Sequence, residues 1–190
     1  MIEDIKKVVQ EKLINHPKRY QHVLGVYETA VKLAEIHHAD VEKAAIAALF
    51  HDYAKYDSIE EQIQHLELKV IKHYGEAPVM YHAFAAAHAL EAIFHVRDQE
   101  ILNAIRYHVF GRKDMGIIEK IIFVADYCEP NRNFSDLTYI YELATKDIDQ
   151  AVMYCMKLTL DDVIKKDKTP HEDQVAAYNY YEEVNSGKIK

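Results

Sequence analysis

Apolar residues recur at intervals of three and four along almost the whole chain, and this spacing constrains the fold more than any other feature. The first segment shows the pattern, with Ile2, Ile5, Val9 and Leu13 on one helical face. Glycine and proline, which interrupt helices, number only 5 and 4 in 190 residues. We therefore predict an all-α protein.

Capping residues and chain breakers divide the chain into ten predicted helices. Three polar residues are predicted N-caps: Asp40, Ser58 and Asp98. The helix after Ser58 is expected to continue through Leu66. The helix after Asp98 is expected to carry His108 and to end at Gly111. The last three helices are predicted at about 136–145, 147–166 and 170–185.

Length and charge restrict what the chain can do. A chain of 190 residues suits a single domain, and a formal net charge of −8 argues against non-specific binding to nucleic acid.

No run of about 18 apolar residues is present, so no membrane-spanning helix is expected. The N-terminus lacks the apolar stretch of a signal peptide, and Cys128 and Cys155 are expected to be free buried thiols. We expect a cytoplasmic protein, for which a homodimer is a candidate assembly.

The segment AAIAALFHDYAK, at residues 44–55, carries the first chemical signal. Its small residues allow close helix packing, and His51 and Asp52 stand side by side at the end of the helix. Adjacent residues point about 100° apart on a helix, but both side chains can still reach one ion near the helix end. A His-Asp pair is common by chance, and a core histidine beside a capping aspartate is the simpler explanation when the pair is considered alone.

Two further residues favour a metal site over a core histidine beside a capping aspartate. His22 lies at the edge of the inner face of the second helix, and Asp126 follows the apolar run IIEKIIFVA. A carboxylate at that point is costly to bury unless it is paired or bound to a metal. With the dyad, these residues supply two imidazoles and two carboxylates. A mixed nitrogen and oxygen set suits Fe, Mn, Co or Zn rather than Ca or a thiolate site.

The order His…His-Asp…Asp is the signature of the HD-domain superfamily, and longer stretches resemble the bacterial YqeK family of HD-domain hydrolases. The matching stretches are HPKRYQHVLGVYETAVKLAE, AALFHDYAK, the helix of His82, His108 with Phe110-Gly111-Arg112, and IIFVADYCEPNR. The resemblance covers nearly the whole chain in matching order. It implies a single HD-domain helical bundle at 1–190 with the metal site in its centre. The metal-binding core is expected at about 17–130 and a C-terminal helical layer at about 131–185.

The resemblance also implies a function, the symmetrical cleavage of diadenosine tetraphosphate to two molecules of ADP. Such an enzyme takes a small-molecule dinucleoside polyphosphate or nucleotide and holds two divalent metal ions, for which iron is expected ahead of Mn or Co. The implied metal ligands are His22, His51, Asp52, His82, His108 and Asp126. In the expected mechanism Asp52 is catalytic, because it bridges the ions while a metal-held hydroxide attacks an inner phosphorus.

Four cations and one glycine are candidates for substrate binding. Lys55 follows His51 by one helical turn and can reach the mouth of the site as a point charge, which gives it an expected catalytic and phosphate-binding role. Arginine can hold phosphate bidentately, and the candidates are Arg19, Arg112 and Arg132. Gly111 would allow a close approach of the backbone. Each of these cations could equally be a solvated surface charge.

One departure from the family pattern concerns residues 108–111, which read His-Val-Phe-Gly where His-Thr-Thr-Gly is expected. The two missing hydroxyls leave the substrate open. The alternatives are an HD phosphohydrolase acting on nucleoside mono- or triphosphates, a di-iron oxygenase, and a non-catalytic nucleotide sensor. Seven histidines have no motif around them and are expected not to be ligands: His16, His37, His38, His65, His73, His88 and His95.

Overall fold

The computed structural model describes residues 1–133 and 135–189, and helices joined by short turns make up that part of the chain. The α-helices within those ranges are α1 (Ile2–Lys12), α2 (Pro17–Ile36), α3 (Val41–Phe50), α4 (Ile59–Ile63), α5 (Leu68–His73), α6 (Tyr81–Phe94), α7 (Gln99–Arg106), α8 (Ile117–Cys128), α9 (Leu137–Lys146), α10 (Ile148–Lys165) and α11 (Glu172–Asn185). A short 3₁₀ turn at Pro78–Met80 leads into α6. The described ranges contain no strand, so the predicted all-α class is confirmed.

The predicted caps begin their helices as expected. The side chains of Asp40, Ser58 and Asp98 each accept a hydrogen bond from a main-chain N–H two or three residues later. These bonds satisfy donors that have no partner within the first helical turn. The last three helices, α9, α10 and α11, also lie close to their predicted ranges.

The helix predicted from Ser58 through Leu66 begins as predicted but ends three residues early, and a separate helix that was not predicted, α5, follows it. α4 ends at Ile63, and α5 begins after Glu67, whose extended conformation (φ −64°, ψ 141°) turns the chain. Apolar side chains from both helices pack on a small cluster around Tyr74, Met80, Tyr81 and Phe110. Because the apolar spacing continues across the turn, periodicity alone does not reveal the break.

The helix predicted to end at Gly111 ends at Arg106 instead. Tyr107 leaves the helical conformation (φ −107°, ψ 11°), and His108 lies in the turn that follows. There the Nδ1 atom of His108 donates to the carbonyl oxygen of Ile105 at 2.7 Å. The placement of His108 on a helix was therefore wrong.

Packing around α3 explains why the centre of the molecule can hold polar side chains. Its alanines at 44, 45, 47 and 48 are buried, and such short side chains allow neighbouring helices to approach closely. α3 packs against α1, α2, α6, α7 and α8, while α10 packs against α8, α9 and α11. The end of α3 therefore lies among the helices that supply the candidate site.

Two expectations about the environment of the chain can be checked directly. Cys128 and Cys155 are free and buried, as expected. Within the part of the chain that the structure describes, no helix combines the length and apolar character needed to cross a membrane.

Candidate metal centre

Six ligand-type side chains converge at the centre of the molecule: His22 on α2, His51 and Asp52 at the end of α3, His82 on α6, His108 after α7, and Asp126 on α8. Five of them are buried, and the side chain of Asp126 is 15% exposed. The structure thus brings together all six residues that were predicted as metal ligands.

The two carboxylate oxygens of Asp52 face different pairs of histidines. Oδ2 lies 3.4 Å from His51 Nε2 and 3.8 Å from His22 Nε2. Oδ1 lies 3.2 Å from His82 Nε2 and 3.5 Å from His108 Nε2. Asp52 therefore stands between two groups of ligand atoms. We call them the first position (His22, His51, Asp52 and Asp126) and the second position (Asp52, His82 and His108).

The spacing of these atoms suits metal coordination. Asp126 Oδ1 lies 3.0 Å from His22 Nε2 and 3.9 Å from His51 Nε2. Ligand atoms of His22, His51 and Asp52 all lie within 4.8 Å of one another, as do those of the second position. Ligands about 2.1 Å from a tetrahedral ion lie about 3.4 Å apart, so only small adjustments would be needed.

All four histidines turn the same ring nitrogen away from the centre. The Nδ1 atoms of His51, His82 and His108 donate to main-chain carbonyl oxygens three residues earlier, at 2.6, 2.6 and 2.7 Å. The Nδ1 atom of His22 donates to Oε1 of Glu129 at 3.0 Å. These oxygens can only accept, so each neutral ring carries its proton on Nδ1. The Nε2 atom that faces the centre is then free to bind a metal.

The Nε2 atoms provide the test of whether metal ions fit. Those of His22 and His51 are buried and have no hydrogen-bond partner within residues 1–133 and 135–189, which is costly for a polar atom. Those of His82 and His108 lie 3.3 Å apart, with their lone pairs opposed when both rings are neutral. A cation at each position would satisfy all four atoms, so the residues fit two divalent ions.

The charge states of His82, Asp52 and Asp126 agree with this fit. Burial alone would lower the pKa of His51, but Asp52 and Asp126 raise it, so a metal ion bound there would displace a proton. Burial lowers the pKa of His82 to about 4, so the ring is neutral at pH 7. Burial alone would raise the pKa of Asp52, but contacts with the neighbouring histidines, His51 foremost, hold that pKa well below its usual range. Burial likewise opposes ionisation of Asp126, yet a neighbouring histidine and arginine keep its pKa below the usual range. Both carboxylates are therefore ionised at neutral pH.

Three of the predicted phosphate-binding cations lie at this centre. Arg19 Nη1 is 2.9 Å from Oδ2 of Asp52, and Arg132 Nη2 is 2.6 Å from Oδ1 of Asp126. Lys55 Nζ is 3.5 Å from Nε2 of His82, beside the second position. The structure thus places Arg19 and Arg132 at the first position and Lys55 at the second.

A cleft of about 540 Å³ opens beside the first position. Its lining includes cationic, aromatic and aliphatic side chains, among them Lys18, Arg19, Tyr56, Tyr127, Arg132 and Leu158. The volume is in the range of small-molecule sites. Because Arg19 and Arg132 both contact ligand carboxylates and line the cleft, a molecule in the cleft could meet these cations and the metal centre together.

Two other predicted substrate-binding residues have different surroundings. The Nε and Nη2 atoms of Arg112 donate to the two carboxylate oxygens of buried Glu119, each at 2.7 Å. Gly111 has a φ of +68°, and a Cβ atom there would lie 2.5 Å from Cε of Met156. None of these contacts involves the six ligand-type side chains, and a role for Gly111 and Arg112 in substrate binding stays a prediction.

Glu129 is a site residue that sequence reasoning missed. Its side chain is fully buried, with Oε1 accepting from His22 Nδ1 at 3.0 Å and Oε2 accepting from the main-chain N–H of Asn131 at 2.7 Å. A Cβ atom on Gly25 would collide with Oε2, so α2 needs glycine at that point. A signal was available, since Glu129 follows Asp126 by three residues, which places the two near one face at the end of α8.

A second group of ligand-type side chains, His73, His171 and Asp173, lies nearer the surface. His73 Nε2 is 2.9 Å from Oδ2 of Asp173. However, both ring nitrogens of His171 are already engaged, because Nδ1 accepts from the main-chain N–H of Asp173 at 3.2 Å and Nε2 donates to the carbonyl oxygen of His73 at 3.2 Å. His171 therefore serves as the cap of α11, and we assign no metal to this group.

The similarity of this chain to known proteins agrees with the His/Asp geometry of the site. Residues 19–131, more than half of the chain, match the HD domain. A protein of Bacillus subtilis (strain 168) named symmetrical bis(5'-nucleosyl)-tetraphosphatase is 39% identical over 180 residues, which is 94% of this chain and 96% of that protein. The chain belongs to the YqeK family of HD-domain hydrolases. A Staphylococcus aureus protein of the same name is 35% identical over 95% of this chain and 94% of its own.

A solved structure extends the comparison to the fold. The crystal structure of a protein from Clostridium acetobutylicum, described as a predicted HD superfamily hydrolase involved in NAD metabolism, superposes with a TM-score of 0.89 at 33% identity. The match covers 97% of this chain and 98% of the other. The predicted HD-domain bundle with a central metal site is thus confirmed as the fold of this YqeK-family chain. HD-domain hydrolases bind divalent metals, in agreement with the His/Asp cluster.

Proposed function

We propose that the chain hydrolyses diadenosine tetraphosphate symmetrically, giving two molecules of ADP. The observation that carries the proposal is the placement of Asp52, whose oxygens lie between two pairs of histidine Nε2 atoms, next to Arg19. Further support comes from three relatives named symmetrical bis(5'-nucleosyl)-tetraphosphatase, which are 35%, 37% and 39% identical over most of this chain.

Two divalent ions would be held by the first and second positions, with Asp52 shared between them. The negatively charged oxygens of a phosphoanhydride repel a nucleophile. Divalent ions would overcome this repulsion by lowering the pKa of a bound water and by polarising the phosphoryl oxygens. We propose iron as the native metal, with Mn or Co able to replace it, because imidazole and carboxylate ligands suit all three. The Nδ1 hydrogen bonds of the four histidines would hold the rings in the ligating orientation.

The cations at the centre would bind the polyphosphate. Arg19 and Arg132 line the cleft, and a planar guanidinium can hold two phosphate oxygens at once. Lys55, beside the second position, would act as a point charge on a phosphoryl group close to the reacting phosphorus. These three cations would offset local repulsion between a polyanionic substrate and a chain of net charge −8.

Several wider features belong to the same proposal. We propose that residues 1–190 form one domain, with a metal-binding core at about 17–130 and a C-terminal helical layer at about 131–185. The negative net charge favours a small-molecule substrate over nucleic acid. We further propose a cytoplasmic location and a homodimer as the assembly to test first.

A substrate panel tests the proposed function. Metal-loaded protein is given diadenosine tetraphosphate, nucleoside monophosphates and nucleoside triphosphates in separate assays, and kcat/KM is compared. The proposal predicts the highest value for diadenosine tetraphosphate and a loss of at least about a hundredfold in Asp52→Asn, which removes a ligand common to both positions. Faster turnover of a mono- or triphosphate would overturn the assignment. So would retained activity in Asp52→Asn.

A further inference from the structure

Glu129 differs from the other groups that fix the histidines of the metal centre. Three of the four rings donate their Nδ1 proton to neutral main-chain carbonyl oxygens, whereas His22 donates to a carboxylate. We propose that Glu129 is a positioning residue that holds His22 in its Nδ1-protonated tautomer and thereby sets the affinity of the first position for its metal ion. This inference rests on the metal centre proposed above.

Both oxygens of Glu129 accept hydrogen bonds, and these two bonds together determine where the proton lies on the His22 ring. Oε1 accepts from His22 Nδ1 at 3.0 Å, and Oε2 accepts from the main-chain N–H of Asn131 at 2.7 Å. A main-chain N–H can only donate, so it fixes one oxygen of the carboxylate as an acceptor. As a carboxylate, Glu129 can only accept at its other oxygen as well, so that oxygen pairs with a proton on His22 Nδ1, which leaves Nε2 unprotonated towards Asp126 and Asp52.

The carboxylate also strengthens His22 as a ligand. A negative hydrogen-bond acceptor raises the electron density of an imidazole more than a neutral carbonyl oxygen does, and carboxylate partners of ligating histidines typically contribute about 10–100-fold to metal affinity. The side chain of Glu129 is only 1% exposed, so little solvent screens this interaction.

The local fold is built to bring this carboxylate to α2. Gly25, one turn after His22, leaves the space that Oε2 occupies, since a Cβ atom there would collide with that oxygen. The Nδ2 atom of Asn131 donates to the carbonyl oxygen of Gln21 at 3.2 Å, which ties the residues after α8 to α2. Glycine inside a helix is normally less favourable than alanine, and the close approach of Glu129 explains why α2 has glycine at position 25.

Glu129→Gln separates this role from simple space filling. Glutamine has nearly the same shape but only one acceptor oxygen, so it can serve the Asn131 N–H or the His22 Nδ1–H, not both. The main-chain donor cannot change, whereas the imidazole can move its proton. We expect the side-chain NH₂ to face Nδ1 and His22 to shift towards the Nε2-protonated tautomer, in which the Nε2 atom facing the centre cannot ligate a metal.

Glu119→Gln is the matched control. Like Glu129, Glu119 is a buried glutamate, but it lies within α8, pairs with Arg112 and accepts from the main-chain N–H of Gly116 rather than from a histidine of the metal centre. Gly25→Ala is the second test variant, because it displaces the Glu129 carboxylate without removing it. Both Glu129→Gln and Gly25→Ala should weaken metal binding, although alanine favours the helix.

The experiment measures binding of Mn²⁺ to the full chain by calorimetric titration, and the tautomer of His22 in the metal-free protein by ¹⁵N NMR of the imidazole nitrogens. The expected result is an affinity about 10–100-fold lower at one of two ions in Glu129→Gln. Loss of the Nδ1–H form of His22 is expected with it. Glu119→Gln should leave both readouts unchanged, and in a His22→Ala background Glu129→Gln should have no added effect.

Three outcomes would overturn the inference. If the parent protein binds Mn²⁺ but Glu129→Gln binds it equally well, the metal centre stands and the role of Glu129 does not. If Glu129→Gln weakens binding equally in the His22→Ala background, Glu129 acts by another route. If the parent protein binds no Mn²⁺, iron or cobalt, the proposed metal centre itself is wrong and the inference falls with it.

Discussion

His82 Nε2 lies 3.3 Å from His108 Nε2, although each ring donates its Nδ1 proton to a main-chain carbonyl oxygen. When both rings are neutral, the lone pairs of the two Nε2 atoms face each other and repel. Oδ1 of Asp52 lies 3.2 and 3.5 Å from the same two nitrogens and adds negative charge. The ammonium of Lys55 lies 3.5 Å from His82 Nε2. Opposed lone pairs beside a carboxylate oxygen also favour a cation bound between them, which is the physical case for the second metal position.

His82→Ala should remove that position while leaving the first. We predict that metal content falls from about two ions per chain to about one, with a large loss of hydrolysis, because a two-metal site needs both ions to act on both sides of the reacting phosphorus. Elemental analysis of protein purified under iron-replete, anaerobic conditions measures the metal content. His88→Ala is the control, because His88 is an exposed histidine of the same helix, stacked on His65. Equal metal content in the two variants would exclude His82 as a ligand.

Arg132→Ala should affect substrate more than metal. Arg132 contacts Asp126 from the cleft side, and its guanidinium is proposed to move its interaction to phosphate when substrate enters. We predict that KM for diadenosine tetraphosphate rises by about tenfold or more, which corresponds to loss of a charge-assisted hydrogen bond of about 1.5–3 kcal/mol. Metal content should change little. Loss of metal in proportion to loss of activity would make Arg132 a structural partner of Asp126.

Lys55→Met should reduce turnover without reducing metal affinity. Lys55 Nζ is 3.5 Å from His82 Nε2, so its charge opposes a cation at the second position while favouring a phosphoryl group there. We predict that kcat/KM falls by about 10–100-fold, while affinity for the second ion stays equal or rises. Steady-state kinetics and metal titration of the same preparation decide the matter, and weaker metal binding in Lys55→Met would contradict the proposed role.

Gly111→Ala should destabilise the fold through both backbone strain and steric overlap. The left-handed conformation at φ +68° costs about 1–2 kcal/mol for alanine, and a Cβ atom 2.5 Å from Met156 Cε requires the end of that buried side chain to shift. Urea denaturation measures the free energy of unfolding. Gly187→Ala is the control, because Gly187 also has a positive φ (+75°) but no heavy atom within 4 Å of its Cβ position. Equal losses in the two variants would show that Met156 relaxes freely.

Much of the candidate site could be predicted because ligand types recur at the ends of apolar helices. His51 and Asp52 end a helix of small residues, and Asp126 ends the apolar run of α8, so burial and charge conflict there unless a cation is bound. The order of these residues along the chain was informative because it resembles the HD-domain signature, and His82 and His108 were predicted only from the resemblance to the YqeK family. Local caps such as Asp40 and Ser58 also act over three residues and can therefore be recognised in one sequence.

The features that could not be predicted depend on contacts between distant segments. Whether His108 lay on a helix or in a turn depended on how α7 ends against its neighbours, which apolar spacing does not reveal. Glu129 reaches His22 only because Gly25 leaves space on a helix about a hundred residues earlier. Arg112, in turn, lies in the segment between α7 and α8 and meets Glu119 through the path of that segment rather than through helical spacing.

The most direct test of the central claim is the identity of the products at early times. Protein purified anaerobically with iron is incubated with diadenosine tetraphosphate, and the nucleotides are separated by ion-exchange chromatography. The account predicts ADP as the sole product, because attack on an inner phosphorus with ADP as the leaving group divides the tetraphosphate at its centre. Equal amounts of ATP and AMP would contradict it, since they require cleavage at an outer phosphoanhydride bond.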